Sequence, residues 1–344
     1  MNYRLFIGIL LLAGFMSCHS SKKGNAPEKE GTPETNVMVD PVKVYSDSIA
    51  MDSTRSDLYL MRAKGYLANE QVSAAMIDVN KAISLKPNQV DPYMLLADIY
   101  YMLGDEANIS NALTRATEID PMDARPLVKL GELNLLQQNF NLSAAYIDKA
   151  LKINPYNPQA YFLKGMYFMV ATQDTASAVK NFQYAYEQDN RFYDPVEQIC
   201  RIYAVQEPPY ALDYIRSVQK NFPDNANARY ELALYLQEHG EPEEALKHYD
   251  TLLMAQPENP IVLYNMGYTN FVYLRNNEVA LKYFEQALSV NPDYLDALFN
   301  RGRVLEQMGN YHDASEVYKE VLKRRPNYQL AIDAVNRIQN QAEE

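Results

Sequence analysis

Small and bulky apolar residues recur along most of this chain at intervals of three and four residues. One stretch shows the pattern at Tyr161, Gly165, Phe168, Ala178, Phe182 and Ala185. Such intervals place side chains on one face of an α-helix, and the longer gap after Phe168 separates one helix from the next. The pattern therefore predicts pairs of amphipathic helices and an all-α fold.

A proline, or once an asparagine, closes each pair of helices and defines a period. These residues are Pro87, Pro121, Pro155, Asn190, Pro223, Pro257, Pro292 and Pro326. Successive separations are 34, 34, 35, 33, 34, 35 and 34 residues. Because proline cannot continue a helix, its regular return is typical of the joint between one helical hairpin and the next. The spacing predicts a stacked array of about eight hairpins.

The period and the positions within it resemble the tetratricopeptide repeat. In that family a small residue in the first helix and alanines in the second let the two helices pack closely, and a proline follows. The resemblance covers residues 56–328 as eight repeats and implies a right-handed superhelical solenoid. It also implies a concave groove, lined mainly by the first helix of each repeat, that binds a protein or peptide.

Four residues depart from the family pattern. Asn134 and Asn270 replace an aromatic residue of the first helix. Ile109 and Ser143 occupy the position of the second helix where the family pattern has a small residue, usually alanine. We expect less regular packing in the second, third and seventh repeats.

Both ends of the array carry segments that would cover its apolar surface. Residues 41–55 continue the register backwards and predict a capping half-repeat before the first hairpin. Residues 329–344 predict one amphipathic capping helix, with Leu330, Ala331, Ala334, Val335 and Ile338 on one face.

The first residues of the chain predict a targeting segment. An apolar run from Leu5 to Met16 is too short to span a bilayer comfortably and fits a signal peptide. The residues Phe15-Met16-Ser17-Cys18 resemble the bacterial lipobox, which implies a signal peptide at 1–17 and acylation of Cys18. The alternative is an ordinary secretory peptide that contains a cysteine.

Residues 18–40 are rich in Ser, Pro, Gly, Lys and Glu and predict a flexible tether. With acyl chains on Cys18, the body would be held at a membrane of the bacterial cell envelope. Lys22 and Lys23 follow the cysteine, whereas acidic residues there accompany surface export in lipoproteins of the Bacteroides group. This difference favours an outer-membrane location that faces the periplasm.

The charge balance and the sparse reactive residues exclude several function classes. The chain has 32 Lys and Arg against 44 Asp and Glu, a net charge of −12, which repels nucleic acid phosphates. No phosphate-binding loop, dinucleotide fingerprint or metal-ligand spacing is present, so we expect no enzyme activity, no cofactor and no metal. Cys200 stands at the small packing position of its repeat, which predicts a buried thiol.

Positions that face the groove in the family are rich in aromatic residues and methionine here. They also carry charges, including Asp98 and Glu132, while Asn265 and Asn300 occupy equivalent positions in successive repeats. Aromatic side chains bury a large area at low conformational cost, so they suit a partner-binding surface. The candidate binding residues are Tyr101, Phe162, Met166, Met169, Tyr230, Tyr264, Tyr268, Phe271 and Phe299.

Three functions remain open from the sequence. The first is a membrane-anchored, non-catalytic adaptor that binds a peptide or helix of another envelope protein in its groove. The second is a structural component that associates with further copies of itself. The third is a lipoprotein that binds carbohydrate, since aromatic side chains also stack on sugars.

Overall fold

The computed structural model describes residues 40–206 and 210–343. Across these ranges the chain forms α-helices joined by short turns, with no strand. The prediction of an all-α fold built from helical hairpins is confirmed. The predicted signal peptide, Cys18 and almost all of the tether lie outside the described residues.

The first of two compact units ends at Pro195. It consists of one single helix followed by four hairpins, each made of two consecutive helices. Its helices are α1 (Pro41–Met51), α2 (Ser56–Ala68), α3 (Val72–Leu85), α4 (Val90–Met102), α5 (Glu106–Ile119), α6 (Ala124–Leu136), α7 (Phe140–Ile153), α8 (Pro158–Tyr167) and α9 (Thr175–Gln188).

The second unit begins at Val196, within the first turn of its first helix. It consists of four further hairpins and a final single helix. Its helices are α10 (Asp194–Gln206), α11 (Ala211–Asn221), α12 (Ala226–Glu238), α13 (Pro242–Ala255), α14 (Pro260–Tyr268), α15 (Asn277–Val290), α16 (Leu295–Gln307), α17 (Tyr311–Arg324) and α18 (Gln329–Glu343).

One position of the second helix holds a small residue with no exposed surface in seven of the hairpins: Ala75, Ser143, Ala178, Ala211, Ala245, Ala280 and Ala314. In the hairpin α4–α5 the same position is Ile109, which is 6% exposed. A short side chain at this position leaves room for the first helix, so the two helices approach closely. Cys200 fills the small position of α10 and is 1% exposed, which confirms that its thiol is buried.

Glycines on three first helices make room for an aromatic ring of the second helix. A Cβ atom at Gly165 would lie 2.5 Å from the Phe182 ring, and one at Gly267 would lie 2.8 Å from the Phe284 ring. The hairpin α16–α17 repeats the arrangement, with Tyr318 against a glycine. Since real carbon contacts are longer than this, these rings occupy the space that a side chain would need.

At three of the departures from the family pattern, a polar side chain forms a hydrogen bond within the core. The buried amides of Asn134 and Asn270 each donate to a backbone carbonyl four residues earlier, at 2.8 Å. The Ser143 hydroxyl donates to the Gly131 carbonyl across its hairpin, also at 2.8 Å. Satisfied polar groups are tolerated in a core, so these substitutions keep the hairpins intact.

The two repeats with a 35-residue interval share a second irregularity. In each, the first helix ends in a π-helical turn, at Phe168–Thr172 after α8 and at Thr269–Tyr273 after α14. A residue with positive φ follows each turn, Gln173 and Arg275, both at 57°. One extra residue in the period is thus accommodated as a π turn, which rotates the side chains that follow it.

Single helices cover both ends of the array. In the first unit, α1 packs against α2, where a Cβ at Gly65 would lie 3.1 Å from the Val42 side chain. In the second, α18 buries Ala331, Ala334 and Ile338 against α16 and α17. Leu330 differs from the expected apolar face, because it lies one residue before Ala331 and points outward with 58% exposure.

No helix in the described parts of the chain is both long enough and apolar enough to cross a bilayer.

Candidate partner-binding surface

The candidate residues are divided between the two units. Tyr101, Phe162, Met166 and Met169 lie on first helices or their π turns in the first unit. The other five lie in the second unit, on α12, α14 and its π turn, and α16. Each unit therefore has its own set of candidate residues.

Three candidates are the central ring of an aromatic triad. Phe162 lies 5.7 Å from Phe182 and 5.4 Å from Phe192, measured between ring centroids. In each triad one outer ring comes from the second helix and the other from the turn that follows it. The central ring is thus held between two parts of its own hairpin.

The same triad recurs in the last two hairpins. Tyr264 lies 5.7 Å from Phe284 and 5.1 Å from Tyr294. The third triad places Phe299 5.6 Å from Tyr318 and 5.2 Å from Tyr328. Residues predicted to contact a partner therefore stabilise the hairpin that carries them.

Three candidates are buried, which corrects their assignment to a binding surface. Met166 is 3% exposed and shares the inward face of α8 with Leu163. Phe299 is 8% exposed because its triad encloses it. Phe271 is 4% exposed, since the π turn rotates it inward, where the Arg303 guanidinium carbon lies 5.0 Å from its ring centroid.

Asparagine side chains connect successive repeats of the second unit through tyrosine hydroxyls. The Asn265 amide donates to the Tyr230 hydroxyl at 2.9 Å. The Asn300 amide donates to the Tyr264 hydroxyl at 3.1 Å. These tyrosine hydroxyls are therefore engaged within the fold, and each links one repeat to the next.

The surface that remains available is a row of four half-exposed or exposed rings, here called the tyrosine surface: Tyr264, Tyr268, Tyr273 and Tyr294. Tyr268 lies 6.1 Å from Tyr264 and 6.2 Å from Tyr273, between ring centroids. With the contact between Tyr264 and Tyr294, the row is continuous. Its rings offer both apolar faces and hydroxyl groups.

Burial raises the pKa of three hydroxyls of this row, those of Tyr264, Tyr273 and Tyr294. It raises the pKa of Tyr294 to about 12, assisted by the negative charge of Asp296. Burial also raises the pKa of Tyr264 and, to a smaller extent, of Tyr273. At neutral pH these groups are hydrogen-bonding hydroxyls rather than bases or nucleophiles.

Two residues of the tyrosine surface, Tyr273 and Tyr294, were not predicted from the sequence. Tyr273 ends the π turn, which the regular family positions do not include. Tyr294 stands two residues after Pro292, in a turn. A signal for Tyr294 existed, because Tyr328 and Phe192 stand at the same offset from Pro326 and Asn190.

The remaining candidates of the first unit form a different environment. Phe162 and Met169 are half-buried, and Tyr101 lines a small pocket with Asp98, Lys129 and Glu132. Among the described residues, no group of three or more His, Cys, Asp or Glu side chains is arranged to hold a metal ion.

Comparisons with known proteins agree with the helical repeat. The family model described as tetratricopeptide repeat matches residues 203–267 and 269–338. Rat mitochondrial import receptor subunit TOM70 is 20% identical over 277 residues, 76% of this chain and 45% of TOM70. The chain thus spans about half the length of this relative.

A shorter stretch matches the photosystem I assembly protein Ycf3 of Acaryochloris marina. It is 30% identical over 116 residues, 28% of this chain and 69% of Ycf3. Among solved structures, the C-terminal part of a TPR repeat-containing protein from Cytophaga hutchinsonii superposes with a TM-score of 0.56 at 17% identity, covering 70% of this chain and 98% of that one. With the hairpins, their period and these matches together, the chain belongs to the tetratricopeptide repeat family.

Proposed function

We propose that this protein is a non-catalytic, membrane-anchored adaptor that binds a peptide or helix of another cell-envelope protein. Tetratricopeptide repeats are protein-interaction modules, and the names of two relatives, an import receptor and an assembly protein, describe roles of that kind. This protein shares with them a mode of action, and its partner is a different one.

The observation that carries the proposal is the tyrosine surface. Tyr268 is half-exposed and Tyr273 is 37% exposed, and neither ring is the centre of a triad. Both can therefore bury area against a partner without loss of packing in their hairpin. Their hydroxyls can also bond the backbone of an extended peptide or the polar edge of a helix.

The anchoring part of the proposal rests on the sequence around Cys18. Acylation there would hold the protein on the outer membrane, with residues 18–40 as a tether toward the periplasm. A Cys18→Ser variant should then leave the membrane fraction, whereas persistence of that variant in membranes would refute the lipid anchor.

The adaptor role is tested by covalent cross-linking and pull-down of the full chain from native envelopes. We compare the double variant Tyr268→Ala, Tyr273→Ala with a control in which Tyr156 and Tyr311, exposed by 74% and 47%, are changed to alanine. The expected result is a protein partner captured by the parent and the control but lost from the double variant.

Two other outcomes would count against the proposal. Capture of the same partner by the parent, the control and the double variant would show that the tyrosine surface is not part of the binding site. A cross-linked product that contains only this chain would replace the adaptor role by self-association. Circular dichroism of each variant shows whether the helices are retained.

A further inference from the structure

A small, partly open pocket lies between α4, α5 and α6 of the first unit. Apolar side chains form its walls: Ala97, Ile109, Leu113, Leu133 and Leu136. Asp98, Tyr101, Lys129 and Glu132 supply its polar groups. Apolar walls with a few converging polar groups are the usual composition of a binding site.

The charges in this pocket do not balance. The Lys129 ammonium donates to an oxygen of the Asp98 carboxylate, so these two charges neutralise each other. No hydrogen bond or ion pair joins Glu132 to another residue in ranges 40–206 and 210–343. Glu132 therefore lies beside an apolar wall without a direct ion-pair partner, and the charge of Lys129 acts on it only from a distance.

The surroundings of Glu132 disfavour its charge. Burial raises the pKa of the Glu132 carboxyl, the Asp98 carboxylate raises it further, and only Lys129 opposes the change. A carboxylate that is poorly solvated and next to another negative group gains most from a cation brought close to it.

We propose that this pocket binds the basic side chain, lysine or arginine, of a partner protein. The cationic group faces Glu132 and the outer side of Asp98, and the aliphatic stem packs on Leu133 and Leu136. Tyr101, whose ring is half-buried at the pocket, adds an aromatic surface beside the cation.

Other side chains fit this pocket less well. An acidic group would meet two carboxylates, and Lys129 is already paired with one of them. An apolar side chain would cover Glu132 without compensating it, which is costly for a buried charge. Of the acidic, apolar and basic side chains, only a basic one both compensates the negative charge of Glu132 and packs its aliphatic stem against the apolar walls.

The test uses defined probes rather than a natural partner. N-acetyl-lysine methylamide is titrated into the full chain carrying methyl-labelled isoleucine and leucine, and the NMR signals of Ile109, Leu113 and Leu133 are followed. The norleucine analogue, which has the stem without the charge, is the matched probe. The expected result is saturable shifts at these methyl groups with the lysine probe and much weaker shifts with norleucine.

Three variants sharpen the result. Glu132→Gln should weaken lysine binding about tenfold, because a charged hydrogen bond is lost. The control Glu187→Gln, an exposed carboxylate of α9, should leave it unchanged. Lys129→Met frees Asp98 to face the probe and should strengthen binding several-fold.

The proposal is overturned by equal binding of both probes, by undiminished lysine binding in Glu132→Gln, or by the absence of saturable shifts at millimolar probe. Thermal unfolding of each variant confirms that the helices are intact. The inference rests on the proposed adaptor role for its partner, but a small probe tests it directly, so its result does not depend on capture through the tyrosine surface.

Discussion

The fourth and seventh repeats share three structural features and differ in the chemistry of one of them. Each has a glycine that admits a phenylalanine ring, an aromatic triad and a π turn after its first helix. The triad of the fourth repeat consists of phenylalanines, whereas that of the seventh contains Tyr264 and Tyr294. The triad is thus a packing device that works with either ring, and the hydroxyls are an addition to it.

That addition changes what the repeat can do. Tyr264 accepts a hydrogen bond from Asn300 in the next repeat, and Tyr294 and Tyr268 continue the polar row beside it. The phenylalanine triad can contribute apolar area alone. The same triad therefore stabilises both repeats. Only the tyrosine hydroxyls of the seventh repeat also form a hydrogen bond to the next repeat and provide a polar surface.

The largest expected effect tests the shared scaffold. Gly165→Ala and Gly267→Ala should each lower the free energy of unfolding of their hairpin by about 1–2 kcal/mol, since overpacking outweighs the gain in helix propensity. The loss should be greater at Gly165, where the ring is nearer. Hydrogen exchange of amides in the two hairpins measures the change.

Gly65→Ala provides the control for helix propensity. Its Cβ would meet the tip of the Val42 side chain at 3.1 Å rather than a buried ring. We expect a smaller loss or none. If all three variants lose the same stability, steric contact with the ring is not the cause.

A smaller effect isolates the hydroxyl that distinguishes the seventh repeat. Tyr264→Phe keeps the ring and should cost about 1 kcal/mol, the usual worth of one hydrogen bond. A double-mutant cycle with Asn300→Ala should give a coupling energy of similar size. Independent effects of the two substitutions, measured by hydrogen exchange, would show that the contact contributes nothing.

The smallest expected effect at neutral pH comes from the titration of the Tyr294 hydroxyl, which makes stability depend on pH. The raised pKa of Tyr294, about 12 against an ordinary 10.0, means that folding favours its protonated form. Its contribution to stability is complete below pH 10 and is lost as the pH rises toward 12. Tyr294→Phe should make alkaline unfolding, followed by circular dichroism, less dependent on pH, and an unaltered profile would contradict this.

Much of the fold followed from the sequence because packing repeats with the same period. Proline spacing and small residues predicted the hairpins, and both 35-residue intervals coincide with the π turns. The candidate surface was harder to predict. Position counting assumes regular helical rotation, so it failed at Phe271 within the π turn.

Burial by rings distant in position explains the error at Phe299. Phe299 occupies a groove position, but Tyr318 and Tyr328 enclose it. A position in the repeat specifies the face of the helix from which a side chain projects. It does not specify which rings from other elements cover that side chain. Tyr294 was missed for a related reason. It lies in a turn, but its long aromatic side chain reaches the ring of Tyr264 on a helix.

The asparagine–tyrosine links also limit how this array can change by duplication or loss of repeats. Each link joins residues 35 or 36 positions apart, with the tyrosine in one repeat and the asparagine in the next. Removal of the seventh repeat would juxtapose Tyr230 with Asn300 and preserve one link. Insertion of a repeat that lacks the pair would break a link, so the last three repeats can be shortened more readily than extended.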